Sequence, residues 1–125
     1  MDLNQITIPS LNVARAMEFY KILGLQLIVD ALPRYVRFEC PDGNSTLSIH
    51  HVDEISKDNG ITIYFEDDYL DTLVENLQQK GIEFSQLPKD KNWLWREAHL
   101  NDFDGNKIIL YHAGKNRKNP PWRIS

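Results

Sequence analysis

A chain of 125 residues with 42% hydrophobic and 26% charged side chains has the length and balance of one globular domain with a single sizeable core. Its net charge of −4, from 18 acidic and 14 basic side chains, argues against a nucleic-acid partner, which calls for a basic face. Cys40 is the single cysteine, which excludes an intramolecular disulfide and fits a reducing compartment; with no basic leader at Met1-Asp2-Leu3-Asn4-Gln5 and no apolar run near the ~20 residues of a membrane span, the expectation is a cytoplasmic protein without a membrane partner.

Gln5-Ile6-Thr7-Ile8 alternates polar and apolar and predicts a strand with one face on a core, ended by Pro9-Ser10. Asn12 is placed to cap a helix running to about Leu23, with Val13, Ala16, Met17 and Tyr20 recurring at helical spacing and Gly24 as the stop. Three strand-like runs follow, at Leu25 to Asp30, Tyr35 to Cys40 and Thr46 to His50, with the turn residues Pro41-Asp42-Gly43-Asn44 between the last two. Val52 to Gly60 is polar and reads as a loop joining two halves.

The order then repeats. Ile61 to Phe65 predicts a strand, Asp67 or Asp68 the cap of a helix with Leu70, Leu73, Val74 and Leu77 as its stripe, and Gly81 its end. Ile82-Glu83-Phe84 predicts a short strand, and Pro88 to Asn92 a polar loop. A further strand lies within Trp93 to Asn101, and Lys107 to His112 forms the last one, after the turn Asp102-Phe103-Asp104-Gly105-Asn106. Two runs of the same element order form an internal repeat. Neither half is large enough for a stable core of its own. The expectation is therefore one domain over residues 1–125, with halves at about 3–52 and 60–113 and a tail at 114–125.

Asn12-Val13-Ala14-Arg15-Ala16-Met17-Glu18-Phe19-Tyr20 with Leu23-Gly24-Leu25, and Asp102 to Leu110, together resemble the vicinal-oxygen-chelate superfamily of glyoxalases, bleomycin resistance proteins and extradiol dioxygenases. The resemblance covers roughly residues 3 to 113. It implies an α+β fold of two βαβββ modules forming a curved mixed-sheet cleft, with the helices on the convex side. In metal-using members one ligand comes from the first and one from the last strand of each half. Carried onto this chain, those positions are Gln5, Ser48 (or His50 in a register two residues off), Thr62 and Ile109. Isoleucine has no donor atom and Ser and Thr are weak neutral donors, so no usual family metal and no cofactor is expected.

Strand alternation sorts the side chains into two sets. If Ile6, Ile8, Val36, Phe38, Leu47, Ile49, Ile63, Phe65, Ala98, Leu100, Ile108 and Leu110 pack under the helices, the other face carries Gln5, Thr7, Tyr35, Arg37, Glu39, Ser48, His50, Thr62, Tyr64, Glu97, His99, Ile109 and Tyr111. From this set Gln5, Arg37, Ser48, His50, Thr62, Tyr64, Glu97, His99 and Tyr111 are the expected ligand-binding residues, with Arg37 the anchor for a carboxylate or phosphate. His50, Glu97 and His99 are the candidates for acid–base chemistry. The plainer alternatives are a solvated His50 at the rim, a Glu97–His99 polar pair without a catalytic role, and mutual neutralisation of Arg37 and Glu39. His50, Glu97 and His99 are also the donors from which a shifted metal site would have to be built. His51 and His112 fall on the helix side, and Cys40 reads as a small buried hydrophobe. Trp93 and Trp95, one residue apart in an extended segment, wall an aromatic ligand, cover the sheet edge, or bury core or dimer area, and Trp122 is expected to dock over the pocket mouth or on a partner subunit.

Two functions remain open. The first is a metal-independent small-molecule-binding module, and the second a glyoxalase- or lyase-like enzyme using His50, Glu97 or His99. A homodimer is expected in either case.

Overall fold

The computed structural model describes residues 1–56 and 61–124. The expected loop at Val52 to Gly60 thus lies partly outside the described residues, since 57–60 are not among them. The element order is β1 (Gln5–Ser10), α1 (Val13–Leu23), β2 (Gln26–Ala31), β3 (Tyr35–Glu39) and β4 (Thr46–His51), then β5 (Thr62–Glu66), α2 (Leu70–Gln79), β6 (Gln86–Asp90), β7 (Arg96–Asn101) and β8 (Lys107–His112), closed by a 3₁₀ turn at Gly114–Arg117. It is the β-α-β-β-β repeat expected from the sequence, an α+β fold with two four-stranded mixed sheets ordered β1-β4-β3-β2 and β5-β8-β7-β6. No helix among the described residues is long and apolar enough to cross a membrane.

The chain divides into two compact units. The first is Met1–Gly60 with Asp102–Asn106, and the second Ile61–Asn101 with Lys107–Ser125. In the first unit α1 lies against β3 and β4. Its stripe Val13, Ala16, Met17, Phe19 and Tyr20 is buried with Ile8, Val36, Phe38, Leu47 and Ile49, and the Tyr20 and Phe38 rings sit 6.2 Å apart across the helix–sheet contact. Asn12 caps the helix by accepting from the Arg15 backbone N–H at 3.1 Å. Gly24 ends it at φ 108°, a left-handed backbone that a Cβ would strain.

The turn from Asp102 to Asn106 supplies the first unit with a buried polar network. The Asp102 carboxylate accepts from Tyr20 Oη at 2.7 Å, from Asn106 Nδ2 at 2.8 Å, and from the Asp104 and Asn106 backbone N–H groups at 2.9 Å. Asn106 Nδ2 also reaches the Pro9 carbonyl at 3.3 Å, and Asp104 Oδ1 accepts from the Leu11 N–H at 2.8 Å. The Arg15 guanidinium lies 3.8 Å above the Phe103 ring. Burial and then the Asp102 charge push the Tyr20 phenol far above its ordinary range, so it serves as a permanent donor.

In the second unit α2 lies against β6 and β8, and Leu70, Val74 and Leu77 are buried with Ile63, Ala98, Leu100, Ile108 and Leu110. Here three sequence expectations need correction. Neither Asp67 nor Asp68 caps α2: the cap position is Tyr69, with no side-chain bond, while Asp67 accepts from the Tyr69 N–H at 2.8 Å and shapes the preceding turn. Ile82 to Phe84 is not a strand. Gly81 and Ile82 close the helix C-terminus through N–H bonds to Gln78 and Leu77, both 3.0 Å, and Ile82 is buried behind it. The strand comes later, at Gln86–Asp90, in part of the stretch expected to be loop. It tolerates Pro88 because β6 is the sheet edge and its register against β7 is irregular between Gln86 and Lys89.

Candidate functional site

Residue pairing fixes what each sheet shows on the side away from its helix. In the first unit Tyr35 stands opposite His50, Arg37 opposite Ser48 and Glu39 opposite Thr46, while Thr7 adjoins Ser48 and Gln5 adjoins Thr46. The hydroxyls of Ser48 and Thr7 are 2.6 Å apart, and Ser48 is fully buried. Arg37 Nε donates to the Tyr35 hydroxyl at 2.9 Å, and Arg37 forms no ion pair with Glu39 among the described residues, so the alternative of mutual neutralisation gives way to a cation–phenol pair. Burial works to raise the Tyr35 phenol, but hydrogen bonds from Ser48 and Arg37 together with the Arg37 charge outweigh it and hold the group below its ordinary range. Gln5 Oε1 accepts from Thr46 Oγ1 at 2.9 Å. His50 lies exposed at the strand end, the rim position that alternation allowed. Cys40, just past β3, is half-buried, and burial and then Asp42 push its thiol up, away from the reactive thiolate form.

The second unit carries a different chemistry on the corresponding side. Tyr64 adjoins Ile109, and Glu97 and His99 stand opposite Tyr111 and Ile109. Trp95 stacks on Tyr111 with ring centroids 4.5 Å apart and planes 15° from parallel. Tyr64 meets both rings edge-on, at 6.0 and 5.8 Å. Ile109, Tyr111 and Ala113 are buried with Trp95 packed against them, so alternation alone misses a second apolar layer on the open face. Burial, then the Glu66 charge, raises the Tyr111 phenol. Glu97 is only 3% exposed, and both its oxygens are used: Oε1 meets His99 Nε2 at 2.8 Å and Oε2 accepts from Trp93 Nε1 at 2.6 Å. Thr62 sits half-buried at the start of β5, beside Lys107.

The tryptophan segment is a turn rather than the extended run expected from sequence. Leu94 adopts φ 68°, and Lys91 N–H bonds to the Trp95 carbonyl at 2.8 Å, closing a hairpin before β7 begins at Arg96. The turn still delivers Trp93 and Trp95 to groups of the open face, one to Glu97 and one to Tyr111. Glu66 is a residue the sequence reading missed. Its carboxylate accepts from the Ala113 and Gly114 N–H groups at 2.8 and 2.9 Å and so pins the segment after β8. Its placement beside Tyr64 in the same alternating strand was the available signal.

On the helix side, Arg96 binds Asp71 at 2.8 Å and Asp90 at 3.0 Å, and His112 approaches Asp68 at 3.7 Å, as its register implied. Arg96, Asp71, Asp68 and His112 line a depression of about 310 Å³ at the start of α2. Its main cation, Arg96, is already spent on two carboxylates.

The donor set does not fit the metal implied by the resemblance. Ile109 offers no donor, Ser48 is tied to Thr7, and the Gln5 amide oxygen is engaged by Thr46. Nor does a shifted site take shape, since no three His, Cys, Asp or Glu side chains group as metal ligands among the described residues.

A model of a glyoxalase-like domain matches residues 3–112. Among solved structures, the chain is similar to a glyoxalase/bleomycin resistance protein/dioxygenase from Nocardioides, at 19% identity and TM-score 0.78 over 100% of this chain and 90% of that one. It is similar to a bleomycin-binding protein crystallised with bleomycin, at 17% identity and TM-score 0.74 over 90% of this chain and 98% of that one. A lactoylglutathione lyase from Agrobacterium tumefaciens gives 14% identity and TM-score 0.75 over 98% and 97% of the two chains. Among curated proteins, none matches. At such identities the structural likenesses speak for the fold alone, but the family model spans nearly the whole chain, with both sequence signatures inside it, and the chain belongs to the glyoxalase-like family of the vicinal-oxygen-chelate superfamily.

Proposed function

We propose that this protein binds a small polar or aromatic molecule, without the metal of its metal-using relatives. The observation that carries the reading is the Trp95–Tyr111–Tyr64 ring cluster beside the part-buried Glu97–His99 pair. It combines apolar contact area with a few fixed polar groups, which is how small-molecule sites are usually built. The ligand-facing residues are Gln5, Arg37, Ser48 and His50 in the first unit and Thr62, Tyr64, Glu97, His99 and Tyr111 in the second. The protein acts as a cytoplasmic homodimer of single-domain chains, with the exposed Trp93 and Trp122 rings supplying contact area. A thermal-shift screen of polar and aromatic molecules identifies ligands, and Trp95→Ala and His99→Ala then weaken them by about tenfold or more. Undiminished binding in both variants rejects the reading, as does one tightly held divalent ion per chain in elemental analysis.

The Glu97–His99 contact favours a second reading, a glyoxalase- or lyase-like enzyme. A carboxylate that fixes His99 through Nε2 leaves Nδ1 as the nitrogen for proton transfer to a substrate. Turnover of an α-oxo or hydroxy acid derivative, abolished by His99→Gln, would select this reading.

A further inference from the structure

The first unit's open face holds a pair of groups, Tyr35 and Arg37, that bond to each other and keep further donors unused among the described residues. Arg37 Nε is committed to the Tyr35 hydroxyl at 2.9 Å. Among the described residues, neither Nη group of Arg37 hydrogen-bonds to anything, so the outer edge of the guanidinium fork is free. The Tyr35 oxygen accepts from Arg37 Nε. Among the described residues the Tyr35 hydroxyl donates to no protein group, so its proton is available to a ligand oxygen. The guanidinium carbon lies 5.5 Å from the Tyr35 ring centre, which sets the two groups side by side.

We propose that Tyr35 and Arg37 form a clamp for an organic carboxylate, the Arg37 Nη edge and the Tyr35 O–H each donating to the ligand's oxygens. This rests on the ligand-binding reading above and gives the ligand a charge and a functional group. The class follows from charge. Arg37 is the permanent cation on this stretch of sheet. The neighbouring strands add His50 from β4, opposite Tyr35, and Glu39 follows from β3 itself, while β1 brings Gln5 and Thr7 and β2 brings Gln26, all uncharged. One guanidinium balances a singly charged carboxylate and leaves a phosphate dianion undercompensated.

The test uses benzoate, its uncharged isostere benzamide, and inorganic phosphate, each titrated calorimetrically into the intact protein. Benzoate binds about tenfold or more tightly than benzamide. Arg37→Gln removes that preference, Arg37→Lys restores only part of it because the fork is lost, and Tyr35→Phe reduces it by about fivefold or more while keeping the ring. Arg34→Gln, on the exposed turn before β3, leaves it unchanged. If benzamide binds as well as benzoate, the protein binds aromatics and the clamp is refuted while the proposed function stands. If phosphate binds more tightly than benzoate, or Arg34→Gln acts as strongly as Arg37→Gln, the carboxylate assignment is overturned. Unaltered melting temperatures in these variants separate loss of the clamp from loss of fold.

Discussion

The two units share one topology and little chemistry. Both sheets place the first strand of the half beside the last, in parallel, and in each the pairing of the half's second and third strands is irregular. The faces under the helices are interchangeable in kind: Ile8, Val36 and Phe38 in one, Ile63, Ala98 and Leu110 in the other. The opposite faces diverge. The first unit carries hydroxyls and a guanidinium tied into a chain of polar contacts, and the second buries Ile109 and Tyr111 under a tryptophan and locks a carboxylate beneath its indole neighbour. The side that meets the helix is alike in the two modules, and the other side is where they differ in chemistry.

The largest perturbation tests the shared part. Phe38→Ala, at a fully buried ring, lowers unfolding stability by about 3–5 kcal/mol, and Leu110→Ala in the other sheet by about 2–5 kcal/mol, both read from denaturant unfolding. Similar losses confirm two equivalent cores, and a negligible loss at either site breaks the comparison. Glu97→Ala tests the divergent part. It leaves the Trp93 indole and His99 without their acceptor and costs about 1–3 kcal/mol, whereas Arg37→Ala on the more open first face costs less. The helices supply a smaller contrast: Asn12→Ala costs about 1 kcal/mol, and Asp67→Ala less, because only Asn12 bonds to its helix's first turn. The smallest effect is electrostatic. The Arg96 hydrogen bonds hold the Asp71 carboxyl below its usual range. A depressed folded-state value contributes stability at pH above the ordinary carboxylate range and loses it as the pH falls through the lowered value. Asp71→Asn therefore removes a small part of the acid limb of the stability–pH curve and nothing else, since the pair is solvent-exposed and screened.

Much of the scaffold was legible because it depends on local rules. Alternation placed β1, β3, β4, β5, β7 and β8, and Asn12 and Gly24 marked the ends of α1 by residue type alone. β6 was hidden because Pro88 breaks the strand signal, and only its edge position makes the proline harmless. Asp67 and Asp68 suggested a cap by composition, but a side chain two residues too early serves the turn instead. Of the candidate site, alternation placed Arg37, Ser48, Glu97 and His99 on the faces away from the helices, where the strand pairing has them. It could not foresee that Leu94 would turn left-handed and swing both tryptophans onto that face, nor that Arg37 would choose the Tyr35 hydroxyl over Glu39. Those outcomes depend on side-chain reach between strands, which no spacing rule encodes.

The Tyr20–Asp102 bond joins residues 82 positions apart. During synthesis the first sixty residues emerge with β1, α1 and the rest of their sheet already specified, yet the carboxylate that accepts from the Tyr20 hydroxyl follows only after β5, α2, β6 and β7. Until then the helix has its apolar stripe but an orphaned phenol at its inner end, where an unmet buried donor costs about 1–3 kcal/mol. The polar network of the first unit is therefore completed only by a turn that lies beyond most of the second unit's strands in the sequence.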